Sequence, residues 1–191
     1  MPRMNKKEIW SIPNLMGYFR ILLIPVFAVL YLTAKTRAQF YAAAAVVAVS
    51  GVTDMLDGKV ARKFHMVTEL GKFIDPFADK LTQGALILCL AIRHPVMWVL
   101  VGLFIVKEGF MAIMGVLLLR RRGKKLDGAA WFGKVCTAVL YIALALFLLL
   151  PGLPAAVFNA IAALCFVVML GTMLAYIPVF RNMWKPDDGR A

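Results

Sequence analysis

The sequence predicts an all-α membrane protein, with six transmembrane helices behind a short N-terminal interfacial segment. Three observations lead there. The 191 residues are 62% hydrophobic, with a mean hydropathy of +0.81, whereas a soluble domain is about half apolar. Apolar runs of about 18 residues recur along the chain, and a run of that length crosses a bilayer as a helix. The cations gather in alternate connections between these runs. One domain is expected over 1–191. No signal peptide is expected, because the first apolar run is too long for an h-region and lacks a small-residue cleavage site.

The runs place spans at 15–34, 38–57, 72–92, 95–119, 131–150 and 155–180. Breaks are marked by Gly58, Pro95, Gly123, Gly128 and the stretch Pro151-Gly152-Leu153-Pro154. Gly58 is expected to end the second helix and Gly71 to open the third. Residues 1–14, MPRMNKKEIWSIPN, are polar apart from Ile9, Trp10 and Ile12. They read as an interfacial segment anchored by Trp10. Residues 15–180 form the six-span part, and 181–191 a polar tail.

Charge sets the orientation. Arg3, Lys6 and Lys7 precede the first span, and Lys59, Arg62 and Lys63 follow the second. Arg120, Arg121, Arg122, Lys124 and Lys125 follow the fourth, and Arg181, Lys185 and Arg190 follow the sixth. The opposite connections hold Lys35, Arg37 and Arg93, so the balance is fourteen cations against three. Cytoplasmic loops carry the excess of Lys and Arg. Both termini and the aspartate cluster therefore belong on the cytoplasmic side of a multi-pass membrane protein. The net charge of +12 is mostly this bias and suits anionic lipid headgroups. It gives no footprint for nucleic acid, since the cations lie in short scattered loops. Cys89, Cys136 and Cys165 lie singly in apolar runs without metal spacing and read as small hydrophobes. His65 and His94 stand singly at span ends and read as structural or solvated.

The acidic residues are distributed differently. Of ten in the chain, five fall in DMLDGKVARKFHMVTELGKFIDPFAD, from Asp54 to Asp79, and four of the five are aspartates. Asp54 and Asp57 are three apart, Asp75 and Asp79 four apart, so each pair shares a helix face. Four carboxylates then meet near the cytoplasmic edge of the membrane, where they need something positive between them. Intramembrane charge costs about 2.5–3.5 kcal/mol per group even on insertion scales. Carboxylates without histidine or thiolate suit a hard divalent cation, Mg²⁺ or Mn²⁺. Two such ions can clamp a phosphate in an in-line displacement. Arg62 offers a planar fork for phosphate oxygens, and Gly58 and Gly71 leave room for a nucleotide near the backbone. The bland alternative is a juxtamembrane acidic cluster paired with Lys59, Lys63, Lys72 and Lys80.

The pattern Asp54-x2-Asp57-Gly58-x2-Ala61-Arg62-x8-Gly71-x3-Asp75-x3-Asp79 resembles the complete signature of the CDP-alcohol phosphotransferases, whose six-span layout also matches. The resemblance implies a metal-dependent phosphatidyltransferase of phospholipid biosynthesis. Such an enzyme moves a phosphatidyl group from CDP-diacylglycerol to an alcohol and releases CMP. By resemblance, Asp54, Asp57, Asp75 and Asp79 hold two Mg²⁺ or Mn²⁺ ions. Asp79 stands at the general-base position. Asp57, Gly58, Ala61, Arg62 and Gly71 line the CDP site, and the protein is a homodimer.

IPNLMGYFRILLIPVF (12–27) and FIDPFADKLT (73–82) look like the phosphatidylglycerophosphate synthase branch, which uses glycerol 3-phosphate as acceptor. Gly17 stands where that branch commonly has threonine, Lys107 where it has arginine, and Cys136 where it often has a second lysine. An acceptor phosphate needs cations, and Lys134, Arg181, Arg20 and Lys107 lie in or beside spans. Lys107 and Glu108 also read as a buried adjacent pair, and Lys134 as a snorkelling residue. Two other acceptors fit the same chemistry: phosphatidylglycerol, giving cardiolipin, and inositol phosphate. A metal-ion transporter is the reading from another class. It is disfavoured because the aspartates cluster on one membrane side.

Overall fold

The computed structural model describes residues 10–64, 68–122 and 130–184. Six helices follow in order: α1 (Ile12–Thr33), α2 (Arg37–Lys63), α3 (Glu69–Arg93), α4 (Met97–Arg122), α5 (Trp131–Leu149) and α6 (Ala155–Trp184). Among the described residues there is no strand. All six expected helices are present, and five of them are long and apolar enough to cross a bilayer. The sixth, α3, has the length, 25 residues. Asp75, Asp79 and Lys80 in its first half lower its apolarity.

Three local expectations are corrected. Gly58 does not end α2, which continues to Lys63. A glycine inside a helix costs only about 1 kcal/mol relative to alanine, and Lys59-Val60-Ala61-Arg62-Lys63 contains good helix formers, so the helix runs through. Gly71 does not open α3. Thr68 does, its Oγ1 accepting the Gly71 N–H at 2.9 Å as an N-cap should. Residues 12–14, expected in an interfacial segment, are the first turn of α1, with Pro13 where a helix tolerates it. Trp10 is exposed as an anchor would be; residues 1–9 lie outside the described residues, as do His65, Gly123, Lys124, Lys125, Gly128 and the tail from Lys185.

The turn between α1 and α2 carries a reciprocal cap. Gln39 Oε1 accepts the N–H groups of Lys35 at 2.7 Å and Thr36 at 3.1 Å, while Thr36 Oγ1 accepts the Gln39 N–H at 3.4 Å. This is a capping box of the T-x-x-Q kind. The breaks at Pro95 and at Pro151–Pro154 fall where expected, between α3 and α4 and between α5 and α6.

The chain divides into two compact units. The first comprises Met1–Leu90 with Ala145–Gly152. Here α1 packs along α2, with the small Ala43 and Ala44 buried so that the backbones approach closely. Phe27 stacks on Tyr31, and Tyr31 meets Phe40 edge-on at 5.6 Å. The second comprises Ala91–Leu144 with Leu153–Ala191. There α4 packs on α6, around Leu118, Tyr176 and Phe180. Tyr176 Oη accepts the Ala130 N–H at 3.2 Å, just before α5. His94 stacks on Phe158 with ring centres 4.2 Å apart, a structural role. Cys89, Cys136 and Cys165 are buried free thiols, as expected of small hydrophobes.

α1 is inside-out relative to a water-soluble helix. Leu15, Phe19, Leu22, Val26 and Val29, spaced by four and three, are exposed. Asn14 and Arg20 on the other side are buried. An exposed apolar stripe with polar groups turned inward belongs in lipid, and the protein is a multi-pass membrane protein. The buried face of α1 meets α3 at Gly17, where a Cβ would lie 2.7 Å from Ile74 Cγ2. That contact is closer than side chains tolerate, so Gly17 sets how near α3 comes.

Gly17→Val should therefore destabilise the protein by about 1–3 kcal/mol through overpacking, read as thermal unfolding of the purified protein in detergent. In an Ile74→Ala background the same substitution should cost less than half as much. Equal penalties in both backgrounds would show that this approach is not the constraint.

Candidate active site

The site is assembled on one face of α1. Asn14, Gly17 and Arg20 recur every three residues, and all three are buried. Asn14 accepts a hydrogen bond from Thr68 Oγ1 at 3.1 Å, which ties the cap of α3 to the first turn of α1. A Cβ on Gly71 would come within 2.8 Å of Asn14 Oδ1 and 3.0 Å of Thr68 Oγ1. The glycine is thus needed for packing at the start of α3. Three residues further along α1, a Cβ on Gly17 would lie 3.8 Å from Asp75 Oδ1. One helical turn later stands Arg20.

Arg20 is the positive group that the aspartates require. Its guanidinium pairs with Asp54 on α2 through Nη1 and with Asp79 on α3 through Nη2, and Nη1 lies 3.8 Å from Asp57 Oδ2. The Arg20 side chain is 3% exposed and that of Asp57 5%, against 40% for Asp54 and 37% for Asp79. The cluster therefore has a closed side at Arg20 and Asp57 and an open side at Asp54 and Asp79. Pro76, immediately after Asp75, has no N–H and so removes the α3 rung that would run from position 76 back to position 72.

The other expected residues distribute as follows. Gly58 is half-buried within α2, and Gly71 is buried. Ala61 and Arg62 continue α2, but their side chains lie outside the described residues. Arg20, expected as a cation for an acceptor phosphate, is instead engaged with the carboxylates. In the second unit Lys107 is buried and donates to Glu108 Oε1 at 2.6 Å, the adjacent pair foreseen as an alternative. Lys134 is exposed in the first turn of α5, and Arg181 is exposed in the last turn of α6. Arg181 lines a groove of about 450 Å³ with Phe110, Met114, Ile177, Phe180 and Trp184.

Asn14 and the partnership of Arg20 were not foreseen. A signal existed: an arginine nine residues into an apolar helix needs a partner, and the acid-poor chain offers few. The donor set fits a hard divalent cation, being four carboxylates without histidine or thiolate. Asp57 Oδ2 and Arg20 Nε are also buried without a hydrogen-bond partner. Among the described residues no three acidic, histidine or cysteine side chains converge closely enough to hold an ion as they stand. Arg20 is the cation the aspartates share.

A membrane-embedded helical protein with this aspartate array defines a class, and the profile of the CDP-alcohol phosphatidyltransferase family matches residues 10–178. The chain belongs to that family. It is 32% identical over 190 residues to the CDP-diacylglycerol–glycerol-3-phosphate 3-phosphatidyltransferase of Pseudomonas fluorescens, covering 94% of each chain. To the protein of the same name from Escherichia coli K12 it is 31% identical over 177 residues, covering 90% of this chain and 96% of the relative. To that from Shigella flexneri serotype 5b it is 29% identical over 178 residues, covering 92% and 91%.

Proposed function

We propose that the protein transfers the phosphatidyl group of CDP-diacylglycerol to glycerol 3-phosphate and releases CMP. The observation that carries this reading is the meeting of Asp54, Asp57 and Asp79 at one guanidinium, with Asp75 facing α1 beside them. Relatives that match nearly the whole chain and bear the name of that reaction support the choice of acceptor. The four aspartates are the residues that would hold Mg²⁺ or Mn²⁺, and the bound ions supply charge neutralisation on the donor's pyrophosphate. Gly58, Ala61, Arg62 and Gly71 line the nucleotide site. An acceptor hydroxyl oxygen attacks the phosphatidyl phosphorus in line. The bond from that phosphorus to CMP breaks, and CMP leaves with the electron pair. Asp79, on the open side of the cluster, takes the hydroxyl proton. Lys134 and Arg181, which both belong to the second unit, are the candidate cations for the acceptor's phosphate, and the enzyme works as a homodimer.

The balance of fourteen cations against three supports an active site on the cytoplasmic side, where glycerol 3-phosphate arrives from water and the donor from lipid. A single cysteine introduced at Lys124, in a background without the three native cysteines, should react with an impermeant reagent only from the cytoplasmic face. One at Lys35 should react only from outside. The opposite labelling would invert the topology.

CMP release from CDP-diacylglycerol, assayed with glycerol 3-phosphate, inositol phosphate and phosphatidylglycerol side by side, tests the reaction. Glycerol 3-phosphate should support turnover, EDTA should abolish it, and Mg²⁺ or Mn²⁺ should restore it. Turnover with phosphatidylglycerol alone would make the enzyme a cardiolipin synthase instead. Lys134→Ala should raise the KM for glycerol 3-phosphate roughly 10- to 100-fold, the worth of one charge-assisted contact of about 1.5–3 kcal/mol, and leave the donor's KM unchanged.

Asp79→Asn removes the base. Turnover should fall by roughly 10²–10⁴ while the donor still binds, measured as retention of a labelled CDP-diacylglycerol analogue. Unaltered turnover would transfer the base role to another group.

A further inference from the structure

Arg20 poses a question that the reaction leaves open. Among the described residues one guanidinium lies within ion-pair distance of three aspartates, so the arginine alone is an incomplete counter-ion. Two divalent ions would match the four carboxylates without it. The oxygens that Arg20 engages on Asp54 and Asp79 belong to the same carboxylates that would ligate those ions. A lone pair directed at a guanidinium N–H is not available to a metal, and a guanidinium beside a divalent ion repels it. The Arg20 side chain is buried, at 3% exposed. It stands one turn past the close approach of Gly17 to Ile74, and it lines a small cavity with the apolar Leu23, Ile24 and Phe27.

We propose that Arg20 is a built-in counter-ion of the metal-free site, which gathers the aspartates before metal binds and which the divalent cations must displace from them. The inference rests on the aspartates being metal ligands. Arg20 is then a positioning residue with two opposed effects. It keeps the metal-free protein folded by neutralising charge in the membrane, and it weakens the metal affinity that the same carboxylates would otherwise have. The site becomes one that empties without collapsing.

The test uses the full chain purified in detergent, wild type beside Arg20→Gln and Arg20→Lys. Two quantities are read: the thermal midpoint by tryptophan fluorescence in EDTA and across a Mn²⁺ titration, and free Mn²⁺ by electron paramagnetic resonance. In EDTA, Arg20→Gln should melt several degrees below wild type. Mn²⁺ should raise its midpoint more than it raises that of wild type. Its half-saturating Mn²⁺ concentration should be at least tenfold lower, with Arg20→Lys between the two. Should Arg20→Gln fail to fold, Arg20→Lys decides alone. A lysine has no planar fork to span Asp54 and Asp79, so tighter Mn²⁺ binding by that variant supports the proposal. Equal or weaker Mn²⁺ binding by the variants, with wild type binding normally, overturns it and leaves the metal reading standing. If wild type takes up no Mn²⁺ by either readout, the metal reading itself fails and the counter-ion proposal with it.

Discussion

An arginine buried against the aspartates of two neighbouring helices is the interaction on which this structure turns. A lone carboxylate or guanidinium in the apolar layer is expensive, and breaking a buried pair by removing one partner is strongly destabilising because a charge is left uncompensated. Arg20 and the acids of α2 and α3 solve that problem for each other. Everything nearby serves the contact. Gly17 lets α3 approach, Asn14 and Thr68 fix where α3 begins, and Ala43 and Ala44 are small where α1 and α2 pack. The neighbouring faces are then free to be entirely apolar, which is what the exposed stripe from Leu15 to Val29 displays.

Much of the fold was legible because a bilayer leaves few options. Backbone groups in lipid must bond within their own segment, so long apolar runs mean helices, and six runs gave six helices. The ends were less legible. Gly58 looked like a stop because glycine so often follows a helix. In the structure the five residues after it keep the helix going, and the ending waits until beyond Lys63. At α3 the start was set by Thr68, whose hydroxyl caps the helix. In a sequence dominated by apolar signal, a single threonine is easily passed over.

The site was legible to the same partial degree. Spacing put Asp54 with Asp57 and Asp75 with Asp79, since periodicity within a helix is a local property. What lay between the pairs was not local. Arg20 is 59 residues from Asp79, and its charge alone suited an acceptor phosphate as well as a carboxylate. Only packing, through Gly17 and Ile74, decides between them. Lys107 shows the converse: its partner Glu108 is the next residue, so the pairing was visible in the sequence. Gly17, which departs from the threonine common in the related branch, stands where α1 closely approaches α3.

The position of Arg20 along α1 also bears on biogenesis. It lies eight residues after Ile12, about 12 Å along the axis at 1.5 Å per residue. α1 leaves the ribosome before α2 and α3, and at that moment its arginine lacks the acids it pairs with in the fold. Asp54 and Asp57 arrive only with the end of α2, and Asp79 only with α3. The first helix thus carries a charge that no acid of its own segment can meet, and its pairing waits for α2 and α3. Insertion of this protein is in that sense a non-local event, governed by a contact whose two halves are synthesised far apart in time.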